Sequence, residues 1–152
     1  FLVFALVIWP LWIPFSILLL EKVIVKKRIL LLLLSTGILV SVYFGFRLIT
    51  QSIHAGVVEY HISYYTGPRT RALDIAGIFY FITTFISPLV SSVKKMGYFA
   101  ASIALTYLIT GLFYQHFMIS VWCFFEAVTC SAVFFIILDL HKSLTSPDLV
   151  EA

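Results

Sequence analysis

The chain has 152 residues, of which 62% are hydrophobic and 11% are charged, and its formal net charge is +3. Soluble domains carry about 25% charged residues, so this composition excludes an ordinary soluble globular protein. The basic residues stand in short clusters between hydrophobic runs, where they set membrane topology and do not indicate nucleic-acid binding. A chain of this length fits one helical bundle and no second domain.

Five hydrophobic runs predict an all-α protein, a polytopic transmembrane helical bundle. About 20 apolar residues in a helix span the roughly 30 Å hydrocarbon core of a bilayer. The predicted helices lie near residues 1–20, 29–48, 72–90, 98–114 and 118–138. In this interpretation residues 1–140 form a single transmembrane domain, and residues 141–152 form a short cytoplasmic tail.

The first hydrophobic run contains two prolines, Pro10 and Pro14. Each proline removes a backbone donor, so we expect a kinked helix, either as simple helix shape or as a hinge or cavity wall. The run lacks a basic n-region and a small-residue cleavage site, so it is not predicted to be a signal peptide. Because the chain is already hydrophobic at Phe1, we expect further residues upstream.

The basic clusters predict the orientation of the bundle in a cell (inner) membrane. The positive-inside rule places the loops that hold most of the lysines in the cytoplasm. These loops contain Lys22, Lys26, Lys27, Arg28, Lys94, Lys95 and Lys142, whereas the opposite set contains Arg69 and Arg71. The N-terminus is then outside and the C-terminus inside. Arg47, near the outer end of its helix, is expected to snorkel to the interface, or alternatively to pair with a buried acid.

Candidate metal ligands gather at the outer end of this predicted bundle, on the polar connection 49–71 and the turn at 115–117. They are His54, Glu59, His61 and His116. Histidine and carboxylate ligate zinc or iron, and two histidines can ligate haem. The sequence has no H-E-x-x-H pattern, so the main interpretation is a wet polar loop. A metal site and a proton relay are the alternatives, and no cofactor is implied.

Glu126 is the one carboxylate in the middle of the last hydrophobic run. A charged carboxylate at that depth costs about 2.5–3.5 kcal/mol, so its side chain should face protein. Cys123 and Cys130, at i−3 and i+4, share its helix face, and such small polar stripes favour helix–helix contact. We predict that Glu126 meets a polar group of another helix; the candidates are Arg47, Tyr43, Thr106 and Tyr107. The residues predicted to be buried and polar are Glu126, Arg47 and Asp74.

Several strings resemble a family of uncharacterised bacterial multi-pass integral membrane proteins, a domain of unknown function. The strings are WPLWIPFSILLLEK (9–22), KKRILLLLL (26–34), HISY (61–64), FYFITTFISPLVSS (79–92) and above all SVWCFF (120–125). The resemblance implies two further N-terminal helices, hence seven in the full protein. It also singles out His61 and Tyr64 over Glu126, since the residue after SVWCFF is usually small in the family. It implies no activity.

Three hypotheses for function remain open at this point. The favoured one is a non-enzymatic membrane protein, either a subunit of a larger membrane complex or a small-molecule sensor module, because the loops are short and no nucleophile or phosphate-loop motif occurs. Its partners would be the lipid bilayer and other membrane subunits or copies of itself. The second is a transporter or channel component that uses Glu126 and Arg47. The third is a metal-dependent membrane enzyme that uses the outer-face His and Glu residues.

Overall fold

The computed structural model describes residues 1–58, 60–93 and 96–145. In these residues the chain forms five α-helices and one β-hairpin. The elements are α1 (Trp9–Leu20), α2 (Ile24–Thr50), β1 (His54–Val58), β2 (His61–Tyr65), α3 (Arg71–Val90), α4 (Met96–Phe113) and α5 (Met118–Thr145). A π-helical segment (Phe4–Ile8) precedes α1, and a 3-10 turn (Gln115–Phe117) joins α4 to α5. The predicted all-α bundle of five helices is confirmed.

Three of the described helices, α2, α3 and α4, are long and apolar enough to cross a membrane. Helix α2 begins at Ile24 and not near residue 29, so Lys26, Lys27 and Arg28 lie on its first turns and not in a loop as predicted. The physical reason is that Lys and Arg are good helix formers, and Ile24 and Val25 extend the apolar run ahead of them. At 1.5 Å per residue α2 is roughly 40 Å long, which exceeds the roughly 30 Å hydrocarbon core of a bilayer.

The connection between α2 and α3, predicted as a polar loop, contains an antiparallel β-hairpin. His54 pairs with Tyr65 and Val58 pairs with His61, so a two-residue turn closes the hairpin. Tyr60, in this turn, has φ 66°, the left-handed backbone conformation that tight hairpin turns use. The β-branched and aromatic residues on both sides of the turn favour extended structure, a local preference that outweighs the polar character of the segment.

The proline-containing start of the chain leaves backbone carbonyls without helical donors. The Trp9 N–H bonds to Phe4 O, five residues earlier in the chain. In the same spacing, residue 10 would bond to Ala5 O, but Pro10 has no N–H to donate. The Tyr80 hydroxyl of α3 donates to Ala5 O at 2.6 Å instead, and the Ser41 hydroxyl of α2 donates to Val7 O at 2.7 Å. The Tyr80 hydroxyl therefore replaces the bond that Pro10 cannot make, and the Ser41 hydroxyl adds a second bond between a neighbouring helix and this segment.

Gly37 lets α2 approach the second proline break. Pro14 cannot donate to Pro10 O, the acceptor four residues earlier, and this carbonyl lies directly against Gly37. A Cβ atom at position 37 would overlap with the Pro10 carbonyl oxygen and would also crowd Thr83 of α3. Helices α1, α2 and α3 thus meet at a point where only glycine fits.

We expect Gly37→Ala to destabilise the protein by about 1–3 kcal/mol, because the backbones of α1 and α2 must separate to admit the methyl group. Gly45→Ala on the same helix is the matched control, since a Cβ there meets its nearest neighbour, Val7, only at 3.9 Å. The control should be neutral or slightly stabilising because Ala has the higher helix propensity. Unfolding in detergent, followed by circular dichroism, measures both; equal stability of the two variants would contradict this account.

Candidate functional site

Two adjoining cavities lie between the π-helical segment, α3 and α5. Their volumes are about 270 Å³ and about 380 Å³, and both are lined by Ala5, Tyr80, Trp122 and Cys123. Their further lining residues are mostly apolar or aromatic. Small-molecule sites in proteins are concave and largely apolar with a few polar groups, and these cavities have that character.

The aromatic wall is held together by edge-to-face ring contacts. The ring of Tyr80 lies 5.6 Å from that of Trp122, and the ring of Tyr107 of α4 lies 5.4 Å from that of Trp122. Because the Tyr80 hydroxyl is bonded to Ala5 O, the ring that forms this wall is fixed by the same proline break that shapes α1. The cavities are therefore built around rigid side chains.

Glu126 provides the acidic group at the wider cavity. It is 4% exposed, and its Oε1 lies 2.9 Å from both Thr106 Oγ1 of α4 and Trp122 Nε1. Thr106 is one of the partners expected from sequence, and it ties α4 to α5 where a charge in lipid would be costly. Trp122 was not foreseen as a partner, although its position at i−4 on the same helix face could have indicated it.

The two cysteines flank Glu126 as their spacing indicates. Cys123 and Cys130 are half-buried, free, and both line the wider cavity. In the residues that the structure describes, no three His, Cys, Asp or Glu side chains come together in a group that could hold a metal ion. The Cys-Glu-Cys stripe is thus a wall of small, polarisable groups.

Arg47 is buried, at 9% exposure, as predicted, but it neither snorkels to an interface nor pairs with an acid among the described residues. Its guanidinium donates to Thr66 O at 2.9 Å and to Pro68 O at 3.1 Å, so it clamps the segment between β2 and α3 onto α2. The reason is that a guanidinium carries several donors in one plane, so it can satisfy two carbonyls of one tight turn at once. Thr66 also lines the smaller cavity.

Asp74 was expected to be buried, but it is exposed at the start of α3. Arg69 Nε donates to its Oδ1 at 2.9 Å, in an ion pair with both side chains largely in solvent. The position explains this: an acidic residue in the first turn of a helix complements the helix dipole and gains nothing from burial.

The outer-end histidines do not assemble. His54 and His61 stand at opposite ends of the hairpin, about 13 Å apart along strands that rise roughly 3.3 Å per residue. His61 packs on the rings of Phe117 and Tyr114 at 4.9 and 5.4 Å, and His116 is exposed on the 3-10 turn. Glu59 lies outside the described residues. The two histidines share one face of the hairpin, but four ladder positions separate them, a distance that the sequence did not indicate because the segment was predicted as a loop.

Glu21 is a buried polar residue whose role was not predicted from the sequence. It lies between α1 and α2, only 2% exposed, and its Oε1 accepts the backbone N–H groups of Lys22 and Val23 at 3.0 Å. Ser92, after α3, donates its N–H to Oε2 at 2.7 Å and its hydroxyl to Oε1 at 2.9 Å. The carboxylate thereby ties the α1–α2 turn to the α3–α4 connection. The sequence feature that could have indicated this role is an acidic residue just before the N-terminus of a helix, where anions are favoured.

The helical fold, with three helices long and apolar enough to cross a membrane, fits the class of multi-span helical membrane proteins. More particularly, the chain belongs to a family of unknown function, DUF6629, whose family model matches residues 1–147. No curated protein and no solved structure matches the chain. An uncharacterised family was what the sequence resemblance implied, and any function must be argued from the site.

Glu126→Leu should lower the free energy of unfolding by about 1–3 kcal/mol, because the Trp122 N–H and the Thr106 hydroxyl lose their acceptor. Glu126→Gln should keep the fold, since the amide oxygen can still accept both bonds. Phe124→Leu, on the exposed face of the same helix, is the control for a change of apolar volume. Thermal unfolding in detergent and in nanodiscs tests this. A Leu variant as stable as wild type would show that the carboxyl does not contribute to stability.

Glu21→Gln should destabilise the protein by about 1–3 kcal/mol near neutral pH, because the amide offers one acceptor where four donors converge. Burial raises the pKa of the Glu21 carboxyl, but the hydrogen bonds of Val23, Ser92 and Lys22 outweigh burial and lower the pKa from 4.5 to about 2. Since the folded state has the lower pKa, this stabilisation is complete above pH 4.5 and is lost as the pH falls through about 2.

The measurement is unfolding of wild type and Glu21→Gln in detergent from pH 7 down to pH 2. The difference in stability should shrink as the pH falls below 4.5, because the wild-type carboxyl takes up a proton while the amide does not. Ser92→Ala, which keeps the backbone donor, should lose less stability than Glu21→Gln. A stability difference that stays constant across this pH range would refute the carboxylate tie.

Proposed function

We propose that this chain is a non-catalytic membrane protein that binds a small, mainly apolar molecule inside its helical bundle, as a sensor module or a subunit of a larger membrane complex. The observation that carries the proposal is the aromatic cavity pair between the π-helical segment, α3 and α5, with one carboxyl at its edge. A rigid apolar cavity that holds one hydrogen-bonding group is suited to recognising a ligand.

The positions of the other candidate residues favour binding over the alternatives. A transporter that uses Glu126 and Arg47 would need a guanidinium whose donors are free to form new bonds. The Arg47 guanidinium instead donates to Thr66 O and Pro68 O. A metal-dependent enzyme would need ligands that converge, whereas His54 and His61 lie at opposite ends of the hairpin. Among the described residues, neither role has a residue pair in working geometry.

The outer surface of α5 suits the partners of such a module. Phe124, Val128 and Phe135 are 57–67% exposed, and their spacing puts them on the side of the helix opposite to the residues that line the cavity. In a bilayer these side chains would contact lipid, another membrane subunit or a second copy of the chain. A bound ligand that moves α5 would change this surface.

The binding proposal is tested with neopentylbenzene, a neutral apolar probe. Ala127 lines the wider cavity, so Ala127→Phe should fill it, whereas Val128→Phe on the lipid side should not. Wild type and Val128→Phe in nanodiscs should show a rise in melting temperature and a saturable change in tryptophan fluorescence, since Trp9 and Trp122 line the cavity. The response should be absent in Ala127→Phe. An identical response of all three proteins would mean simple partitioning into lipid and would end the proposal.

The orientation is proposed from charge: the basic end of α2 in the cytoplasm and the hairpin outside. Lys27 and Tyr60 are both exposed and lie at opposite ends of α2 and its connection. In a variant whose native cysteines are replaced by Ser, an impermeant maleimide added to intact cells should label Tyr60→Cys and not Lys27→Cys. Membrane disruption should make Lys27→Cys reactive. Labelling of Lys27→Cys in intact cells would reverse the topology.

A further inference from the structure

The Glu126 carboxyl has one oxygen that the protein leaves largely unused. Oε1 is bonded at 2.9 Å by Thr106 and Trp122, but Oε2 has only a 3.4 Å contact with the Thr129 hydroxyl. That hydroxyl has a single proton and lies 3.0 Å from the backbone carbonyls of Phe125 and Glu126, both nearer to it than Oε2 is. An acceptor oxygen at the wall of the wider cavity therefore has capacity for a further donor.

No cationic side chain neutralises this carboxyl within the part of the chain that the structure describes. The ion pair found there is Arg69 with Asp74, at the solvent-exposed start of α3. Arg47, which sequence suggested as a partner, is bonded to Thr66 and Pro68. A carboxylate in apolar surroundings without a counter-charge is costly, so a cation that enters the cavity would gain a strong electrostatic interaction.

The cavity that faces this carboxyl is lined by aromatic rings. Phe1, Phe4, Trp9, Tyr80 and Trp122 form most of its wall. Phe4 and Trp9 are 5.6 Å apart, and Tyr80 and Trp122 are also 5.6 Å apart, so two ring pairs stand on the walls of one space of about 380 Å³. Ring faces attract organic cations, Trp most strongly, and aromatic cages recognise quaternary ammonium groups in this way.

We infer that the cavity between the π-helical segment and α5 binds a lipophilic organic monocation, a single ammonium-type charge on an apolar body, with Glu126 as its counter-charge and Trp9, Tyr80 and Trp122 as its cage. This inference rests on the proposed function, since it names the ligand class of the same cavity. A primary or secondary ammonium would donate to Oε2, and a quaternary ammonium would be held by charge and rings alone.

The test compares benzyltrimethylammonium with neopentylbenzene, its neutral isostere, which differs only by carbon in place of the charged nitrogen. Binding to the protein in nanodiscs is followed by tryptophan fluorescence. Wild type should bind the cation at least about tenfold more tightly than Glu126→Gln, which keeps the acceptor oxygen but removes the charge. Neopentylbenzene should bind both proteins alike. Trp9→Leu serves as a second variant should Glu126→Gln fold poorly; it should weaken cation binding about fivefold and affect the isostere less.

The outcomes separate the two proposals. Saturable binding of neopentylbenzene without binding of the cation, or cation binding that is unchanged in both Glu126→Gln and Trp9→Leu, would overturn the inference and leave the apolar binding function standing. Failure of both probes in wild type would overturn both. Cation binding that is lost in Ala127→Phe, weakened in Glu126→Gln and unaffected in Val128→Phe would establish the site.

Discussion

The first helix is broken by proline, and the need to satisfy its freed carbonyls organises the bundle. In a hydrocarbon medium an unpaired backbone carbonyl costs several kcal/mol, so helix breaks persist only where neighbouring groups replace the lost bonds. Here the Tyr80 hydroxyl bonds to Ala5 O in place of the N–H that Pro10 lacks, the Ser41 hydroxyl bonds to Val7 O of the same segment, and Gly37 leaves room for the Pro10 carbonyl. Helices α2 and α3 are thereby fixed against the start of the chain, and the ring of Tyr80 is set as a cavity wall.

The same need to satisfy backbone hydrogen-bonding groups accounts for a buried charged side chain at each end of the bundle. At the basic end the Glu21 carboxylate gathers donors from the α1–α2 turn and from Ser92. At the hairpin end the Arg47 guanidinium gathers carbonyls from Thr66 and Pro68. Each anchor is a buried charged side chain that bonds to backbone groups of opposite polarity. These bonds satisfy backbone groups in connections that are too short to form regular structure.

Glu126 joins the structural and the proposed functional arguments. One of its oxygens holds α4 and α5 together through Thr106, while the other has only a 3.4 Å contact with the Thr129 hydroxyl, and the residue lines a cavity that also carries aromatic rings. A carboxyl used only for packing would engage both oxygens, as Glu21 does with four donors. The unequal use of the two oxygens is what points from packing to binding.

The sequence by itself determined the helical membrane-type architecture, the approximate helices and the inward direction of Glu126, because hydrophobic run length and helix periodicity are local properties. It also contained Thr106 among the possible partners of Glu126. Only the tertiary structure decided that Arg47 binds carbonyls, that Asp74 is exposed, that a hairpin separates His54 from His61, and that Glu21 joins two loops 71 residues apart in sequence. These outcomes depend on which backbone groups are left without partners after the helices pack. That information is not local, since it arises from contacts between segments far apart in the chain.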